Sequence, residues 1–140
     1  MSIVRPSAKV PYTPGVSRDV VAGLLNDGHA ETVARVAVEE AVNRGARLRF
    51  IQVVDDGLTP EAKAAADQAT FRAAVRALRG VRGIPCRFEV VVGDPTPVLL
   101  HLASAAAALV VGAQAAGGEL AHECETHAGC PVVTVPVSAA

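Results

Sequence analysis

The sequence predicts a parallel α/β domain: five strands in the order 3-2-1-4-5, with helices on both faces of the sheet. Three observations point there. Short apolar runs recur at residues 19–25, 47–54, 86–92, 107–112 and 131–135. They are apolar nearly throughout rather than alternating, as strands covered on both faces are. Between them lie segments with apolar residues at helical spacing, long enough to carry the chain back for another parallel strand. The right-handed crossover rule then leaves few topologies, and 3-2-1-4-5 is the natural one.

Residues 1–18 carry Pro6, Pro11 and Pro14 without a sustained period, so they read as an irregular arm ahead of a single domain at 19–140. DVVAGLL is the first strand. Asp27 is the expected cap of the first helix, with Glu31 near its positive end. Val33, Val36, Ala37 and Ala41 form the apolar stripe of that helix. Glu31/Arg35 and Glu40/Arg44 are exposed pairs at i,i+4, and Gly45 ends the helix. RLRFIQVV is the second strand. Thr59 and Pro60 open a long helix that places Phe71, Val75 and Leu78 on one face and stops at Gly80 and Gly83. CRFEVVV is the third strand, with Cys86 expected at a buried position. Asp94-Pro95 opens a helix with Val98, Leu99 and Leu102 facing inward. AALVVG and PVVTV are the last two strands.

The 140 residues are 51% hydrophobic, enough for one domain with a sizeable core. The formal net charge is −1, the lysines are only Lys9 and Lys63, and the arginines are scattered. Neither nucleic acid nor an acidic membrane is favoured by that balance. No apolar run is long enough to span a bilayer, and the N-terminus has no charged segment followed by an apolar one. The expectation is a soluble cytoplasmic protein. Cys86, Cys124 and Cys130 are an odd number and read as thiols in a reducing compartment.

In a sheet of this order, ligands bind beyond the carboxyl ends of the strands where the strand order reverses. The loops after strands one and four flank that crevice. They begin at Leu25 and Gly112 and end at Gly28 and Gly118.

From Val20 to Val135 the chain resembles the universal stress protein family. VVAGLLNDGHAETVARVAVEEA is similar to the family's first strand and helix, and RGARLRFIQVV to its second strand. VVVGDPTPVLLHLA is similar to its third strand and helix, and AALVVGA with GCPVVTV to its last two strands. The resemblance implies a flavodoxin- or Rossmann-like fold of the adenine nucleotide alpha hydrolase type. It further implies a non-catalytic, cytoplasmic, bacterial stress-response protein, usually homodimeric, with some members binding ATP. Members that bind ATP carry Gly-x2-Gly-x9-Gly-Ser/Thr after strand four and an Asp at the end of strand one.

This sequence departs from both. Counting forward from Gly112 puts Ala115 at the second glycine, then Glu125 and Thr126 at the final pair. Aligning backward from Cys130-Pro131-Val132 puts Gly118-Glu119 there instead, in a shorter connection. Glu119 at a helix N-terminus would repel phosphate, and no Lys or Arg occurs from Gly112 to Ala140. Leu25 and Asn26 stand where the strand-one Asp would be. The expectation is therefore a stress-type protein that acts by binding, with no cofactor held in the usual ATP mode. The alternative is an AMP, adenosine or ATP binder in which Leu25, Asn26, Val53, Gly112 and Gly118 line the remaining crevice.

His122-x-Cys124-x2-His127-x2-Cys130 has the ligand types zinc favours. If residues 119–128 are helical, Cys124 and His127 share a face, but His122 lies about 200° from Cys124. A closed metal site is not expected; a metal or thiol sensor built on Cys124, His127 and Cys130 is the weaker alternative. Ser17, Ser104 and Ser138 lack a nucleophile-elbow context, and His29, His101 and Asp55-Asp56 read as solvated. No catalytic constellation is found. The last strand, from Pro131 to Val135, is placed at a sheet edge. Related proteins pair it across a two-fold axis, so a homodimer and an unidentified protein partner are expected. Pro136 cannot donate to a ladder, which should end the pairing near Val135.

Overall fold

The computed structural model describes residues 19–113 and 118–136. The N-terminal arm expected at 1–18, part of the loop after the fourth strand, and residues 137–140 lie outside them. The chain runs β1 (Asp19–Leu24), α1 (Ala30–Arg44), β2 (Arg47–Val54), α2 (Pro60–Ala77), β3 (Cys86–Val92), α3 (Pro95–Leu102), β4 (Ala108–Gly112), α4 (Glu119–His127) and β5 (Val132–Val135). All paired strands are parallel, in the order β3-β2-β1-β4-β5. Fold class and strand order are as the sequence predicts. The first, fourth and fifth strands are each one residue shorter than expected. Pro131 still contributes, since its carbonyl accepts from the Leu109 N–H at 2.9 Å.

Two separate cores lie on the two faces of the sheet. Val20, Ala22, Leu24, Leu48 and Phe50 meet α1 and α2 on one side. Val21, Ile51, Val53, Leu109 and Val111 meet Leu99 of α3 and Leu120 and Cys124 of α4 on the other. β1 lies at the middle of the sheet, and its residues from Val20 to Leu24 are buried. Side chains alternate between faces along a strand, so a strand covered on both sides must be apolar throughout.

The caps follow their local chemistry in part. Thr59 accepts from the Ala62 N–H at 3.1 Å with Pro60 behind it, and Gly45 closes α1 in the left-handed region at φ 62°. Asp27 is not the cap of α1. His29 holds that position, and Asp27 Oδ1 instead accepts from the His29 N–H at 3.0 Å, closing a turn two residues long. Asp94 stands at the N-cap of α3 without a side-chain hydrogen bond. Both expected helix pairs form, Glu31 with Arg35, and Glu40 with Arg44 at 2.8 Å.

The face of α2 differs from the expectation. Phe71 and Val75 are 50% and 48% exposed, and Leu78 is only half-buried. The buried side is Ala66, Thr70, Ala73, Ala74 and Ala77, small residues that let the helix lie close against the sheet and α1. Cys86 is likewise half-buried, because β3 is an edge strand and the cover thins out there. Val98 and Leu102 are half-buried for the same reason, while Leu99 is fully buried. No described helix is long and apolar enough to cross a membrane.

Two polar contacts cross the structure. Arg49 of β2 donates to both carboxylate oxygens of Glu89 on β3, at 2.9 and 3.0 Å. This bond holds the Glu89 carboxyl below the usual carboxylate range against the opposing effect of burial. Gln52 of β2, buried among apolar neighbours, is bonded through its side-chain oxygen by the Thr70 hydroxyl of α2.

The tightest point of the fold is Gly23. A Cβ there would stand 2.5 Å from Cδ1 of Leu99, so α3 seats directly on the β1 backbone. Leu99 has no exposed surface and no room to retreat. Gly23→Ala should cost about 1–3 kcal/mol by overpacking, read as a lower denaturant midpoint with an unchanged slope.

Candidate nucleotide crevice

The order of the sheet reverses between β1 and β4, and the loops leaving these strands flank the point where it does. On one side Leu25 is half-buried against the α3/α4 core, and Asn26 is exposed. Gly28 adopts φ 85°, which lets the chain turn into α1. Asp27 is engaged by the His29 backbone, so no carboxylate of this loop is aimed into the crevice from the end of β1. Val53, near the end of β2, is buried and faces the same core as Leu25 and Val111.

On the other side Gly112 ends β4 and is buried opposite Val135. The Ala113 N–H donates to the Val135 carbonyl at 2.8 Å, extending the ladder by one residue. Gly118 has φ 95°, and a Cβ on it would stand 3.7 Å from the Ala113 carbonyl. Gly118 therefore lies beside the end of β4. Glu119 follows as the first helical residue of α4, exposed, in the turn where unpaired backbone N–H groups collect. Gly118 gives no side-chain cap.

Leu25 follows the end of β1, Val53 lies near the end of β2, Gly112 ends β4 and Gly118 precedes α4, which places all four toward the carboxyl rim of the sheet. Asn26 shares the loop but turns to solvent. The acids that the sequence spreads over several connections come to one rim among the described residues. Asp27, Asp55, Asp56 and Asp94 lie in the loops that leave β1, β2 and β3, and Glu119 opens α4. None of these loops, as far as described, contains a Lys or Arg. Asp55 turns one oxygen to the Gly57 N–H at 2.9 Å, a local turn rather than a ligand cage.

The His/Cys stretch does not converge. Cys124 is fully buried in the α3/α4 core, whereas the His127 side chain is 59% exposed and sits 3.4 Å from Glu123. His122 is exposed too. The expected shared face of Cys124 and His127 is thus split by burial, because the helix turns Cys124 to the sheet and its last turn to water. Among the described residues no three His, Cys, Asp or Glu side chains gather as a metal would need.

Burial, with the neighbouring Cys130 and then Glu123 and Glu125 adding to it, pushes the Cys124 thiol up to about 11. Cys86 and Cys130 are raised as well, chiefly by burial. At pH 7.5 Cys124 is a neutral, enclosed thiol and should resist iodoacetamide in the folded protein. Cys130, half-buried, should label ahead of it. Cys124 and Cys130 share the single tryptic peptide 88–140, so tandem mass spectrometry that places the label within it, before and after denaturation, reads this. Labelling of Cys124 at the rate of Cys130 in the native state would contradict the burial.

No protein-family model matches the chain. Two curated proteins of Mycobacterium tuberculosis, from strains H37Rv and CDC 1551 and each named a universal stress protein, are 33% identical over 138 residues. These matches cover 91% of the chain and 52% of each relative, so the chain spans about half the length of the curated relatives it matches. Among solved structures, a universal stress protein from Archaeoglobus fulgidus in complex with dAMP is similar at 26% identity and a TM-score of 0.68. That match covers 85% of this chain and 97% of the other. A universal stress protein in complex with cAMP has the same fold, with a TM-score of 0.68 at 21% identity over 89% of this chain and 100% of its own.

Proposed function

The chain belongs to the universal stress protein family, and on that premise we propose that it serves a stress response by binding rather than by catalysis, without holding ATP in the manner of the family's glycine loop. The observation that carries this is Glu119. It stands in the first turn of α4, at the end of the crevice where a phosphate would seek helix N–H groups. A carboxylate there complements the helix dipole by roughly 0.3–1 kcal/mol and opposes an anion by a similar amount. The acids of the neighbouring loops act in the same sense, and no cation of the described rim offsets them. No set of side chains on the rim has the nucleophile and base that chemistry would require.

A second reading is favoured by one comparison. The Archaeoglobus relative holds dAMP, a nucleotide with a single phosphate. In this chain Leu25, Val53 and the Gly112 backbone can receive a base and ribose, while a triphosphate would have to lie against Glu119. AMP or adenosine is then the ligand class, with ATP the weakest of the three. Titration calorimetry with adenosine, AMP and ATP separates the readings. No heat with any of them supports a crevice that has lost its nucleotide; adenosine and AMP binding ahead of ATP supports the second. Glu119→Ser should improve ATP affinity by about two- to fivefold. Micromolar ATP binding that Glu119→Ser leaves unchanged would sink the assignment of Glu119 as the obstacle.

Self-association is proposed through β5, which forms one edge of the sheet. The Val135 carbonyl bonds inward to Ala113 and the Pro131 carbonyl inward to Leu109, so the alternation turns the Thr134 N–H outward. The strand is uncharged and brings no like charges together across a two-fold axis. Thr134→Pro removes that outward donor while sparing the ladder to β4, and should convert a dimer to a monomer in sedimentation equilibrium. A dimer that survives it would refute pairing through this strand.

A further inference from the structure

The other edge of the sheet is built differently. Among the described residues the sheet ladder pairs β3 with β2 alone, and its register is fixed at both ends. The Leu48 N–H donates to the Pro85 carbonyl at 2.9 Å, and the Gly93 N–H donates to the Val54 carbonyl at 2.9 Å. By the alternation of a parallel ladder, Arg87, Glu89 and Val91 bond inward, and the N–H and C=O groups of Phe88, Val90 and Val92 point out of the sheet. An open edge of this kind is a template for another strand.

The surface beside that edge is apolar and cationic together. Val90 and Val92 are exposed on the α2 side, and Phe71 packs edge-on against Phe88 with ring centres 5.3 Å apart. On the opposite face Val91, Pro97, Val98 and Leu102 line an apolar hollow of about 310 Å³. Phe71, Arg72 and Val75 share one exposed arc of α2. Arg79 continues it, its N–H bonded to the Arg76 carbonyl at 3.2 Å. From 68 to 88 the chain contains five arginines and no acid. Arg72, Arg79 and Arg82 have no ion-pair partner among the described residues.

We propose that the outer edge of β3, with the exposed arc of α2 beside it, docks an extended acidic segment of a partner protein, which adds to β3 as a sixth strand. The backbone groups of Phe88, Val90 and Val92 supply the hydrogen bonds. Val90, Val92 and Phe71 receive apolar side chains on one face of the incoming segment, and Arg72, Arg79 and Arg82 attract its carboxylates. A second copy of this chain is a poor occupant. Paired antiparallel across a two-fold axis, a copy would offer these arginines Asp94 at the far end of β3 but no further free carboxylate along the strand, since Arg49 already holds Glu89. A nucleic acid would satisfy the arginines but neither the strand edge nor the valines.

The proposal rests on reading the domain as a binding module and not on what its crevice holds, so the nucleotide titrations and the test below fail separately. The test is an NMR titration of the ¹⁵N-labelled protein at low salt with an acetylated heptapeptide that alternates aspartate and valine. Amide shifts are expected at residues 86–92 and in the second half of α2. Affinity should fall roughly tenfold or more in a protein carrying Arg72→Glu, Arg79→Glu and Arg82→Glu, surface changes that leave the core untouched. A peptide N-methylated on alternate residues so as to block pairing should lose binding to the unaltered protein. The proposal is overturned if the heptapeptide produces no shifts, or shifts elsewhere, or binds equally well when N-methylated. It is equally overturned if a single-stranded oligonucleotide of equal charge binds the same residues more tightly, or if the triple reversal changes self-association instead of peptide binding.

Discussion

In a sheet of parallel strands every crossover helix starts at the rim where strands end and finishes at the rim where they begin. That single constraint arranges the charge of this molecule. Helix N-termini collect at the carboxyl rim, and the acids Asp94 and Glu119 stand at the starts of α3 and α4. Helix C-termini collect at the opposite rim, where Arg44 and Arg76 occupy last turns and Arg47 opens β2. Each placement complements the local helix dipole. The two ends of the sheet thus acquire opposite character from folding requirements alone.

The same arrangement bears on the proposed reading of the crevice. An anion bound at a helix N-terminus competes with any acid that caps or neutralises it. Glu119 in the first turn of α4 complements the helix dipole, and on the proposed reading the same residue opposes a phosphate there. The apolar part of the crevice is unaffected, because Leu25, Val53 and Val111 belong to the core that holds α3 and α4 on the sheet. Losing those residues would cost the fold.

Much of this was legible from residue order. The five strands, their register-setting apolar runs, the Thr59-Pro60 start and the Gly45 stop each have a local cause, and the strand order follows from handedness. What misled was the helical stripe of Phe71, Val75 and Leu78, because periodicity reports an apolar face without saying what covers it. At an edge strand the cover runs out, so the large residues face water and the alanines face the sheet. Asp27 misled for a related reason: a carboxylate two residues ahead of the helix can bond its own turn before it reaches the helix. The arginines from Arg72 to Arg87 already cluster in the sequence without an acid among them, but that they flank an edge strand follows only from the sheet order. The Gln52–Thr70 contact had one faint signal, a lone amide inside an apolar strand.

The two edges of the sheet therefore invite different company. β5 presents valine and threonine without charge, and a copy of itself meets no repulsion there. β3 presents valines beside arginines that have no ion-pair partner among the described residues, a combination that favours an acidic strand over a copy of itself. Natural sheets guard open edges with charge of this kind, and guarding against a copy of the same chain selects at the same time for a segment of opposite sign. Folding alone gives no reason for three arginines without partners beside exposed Phe71 and Val75. Recognition of an acidic strand does.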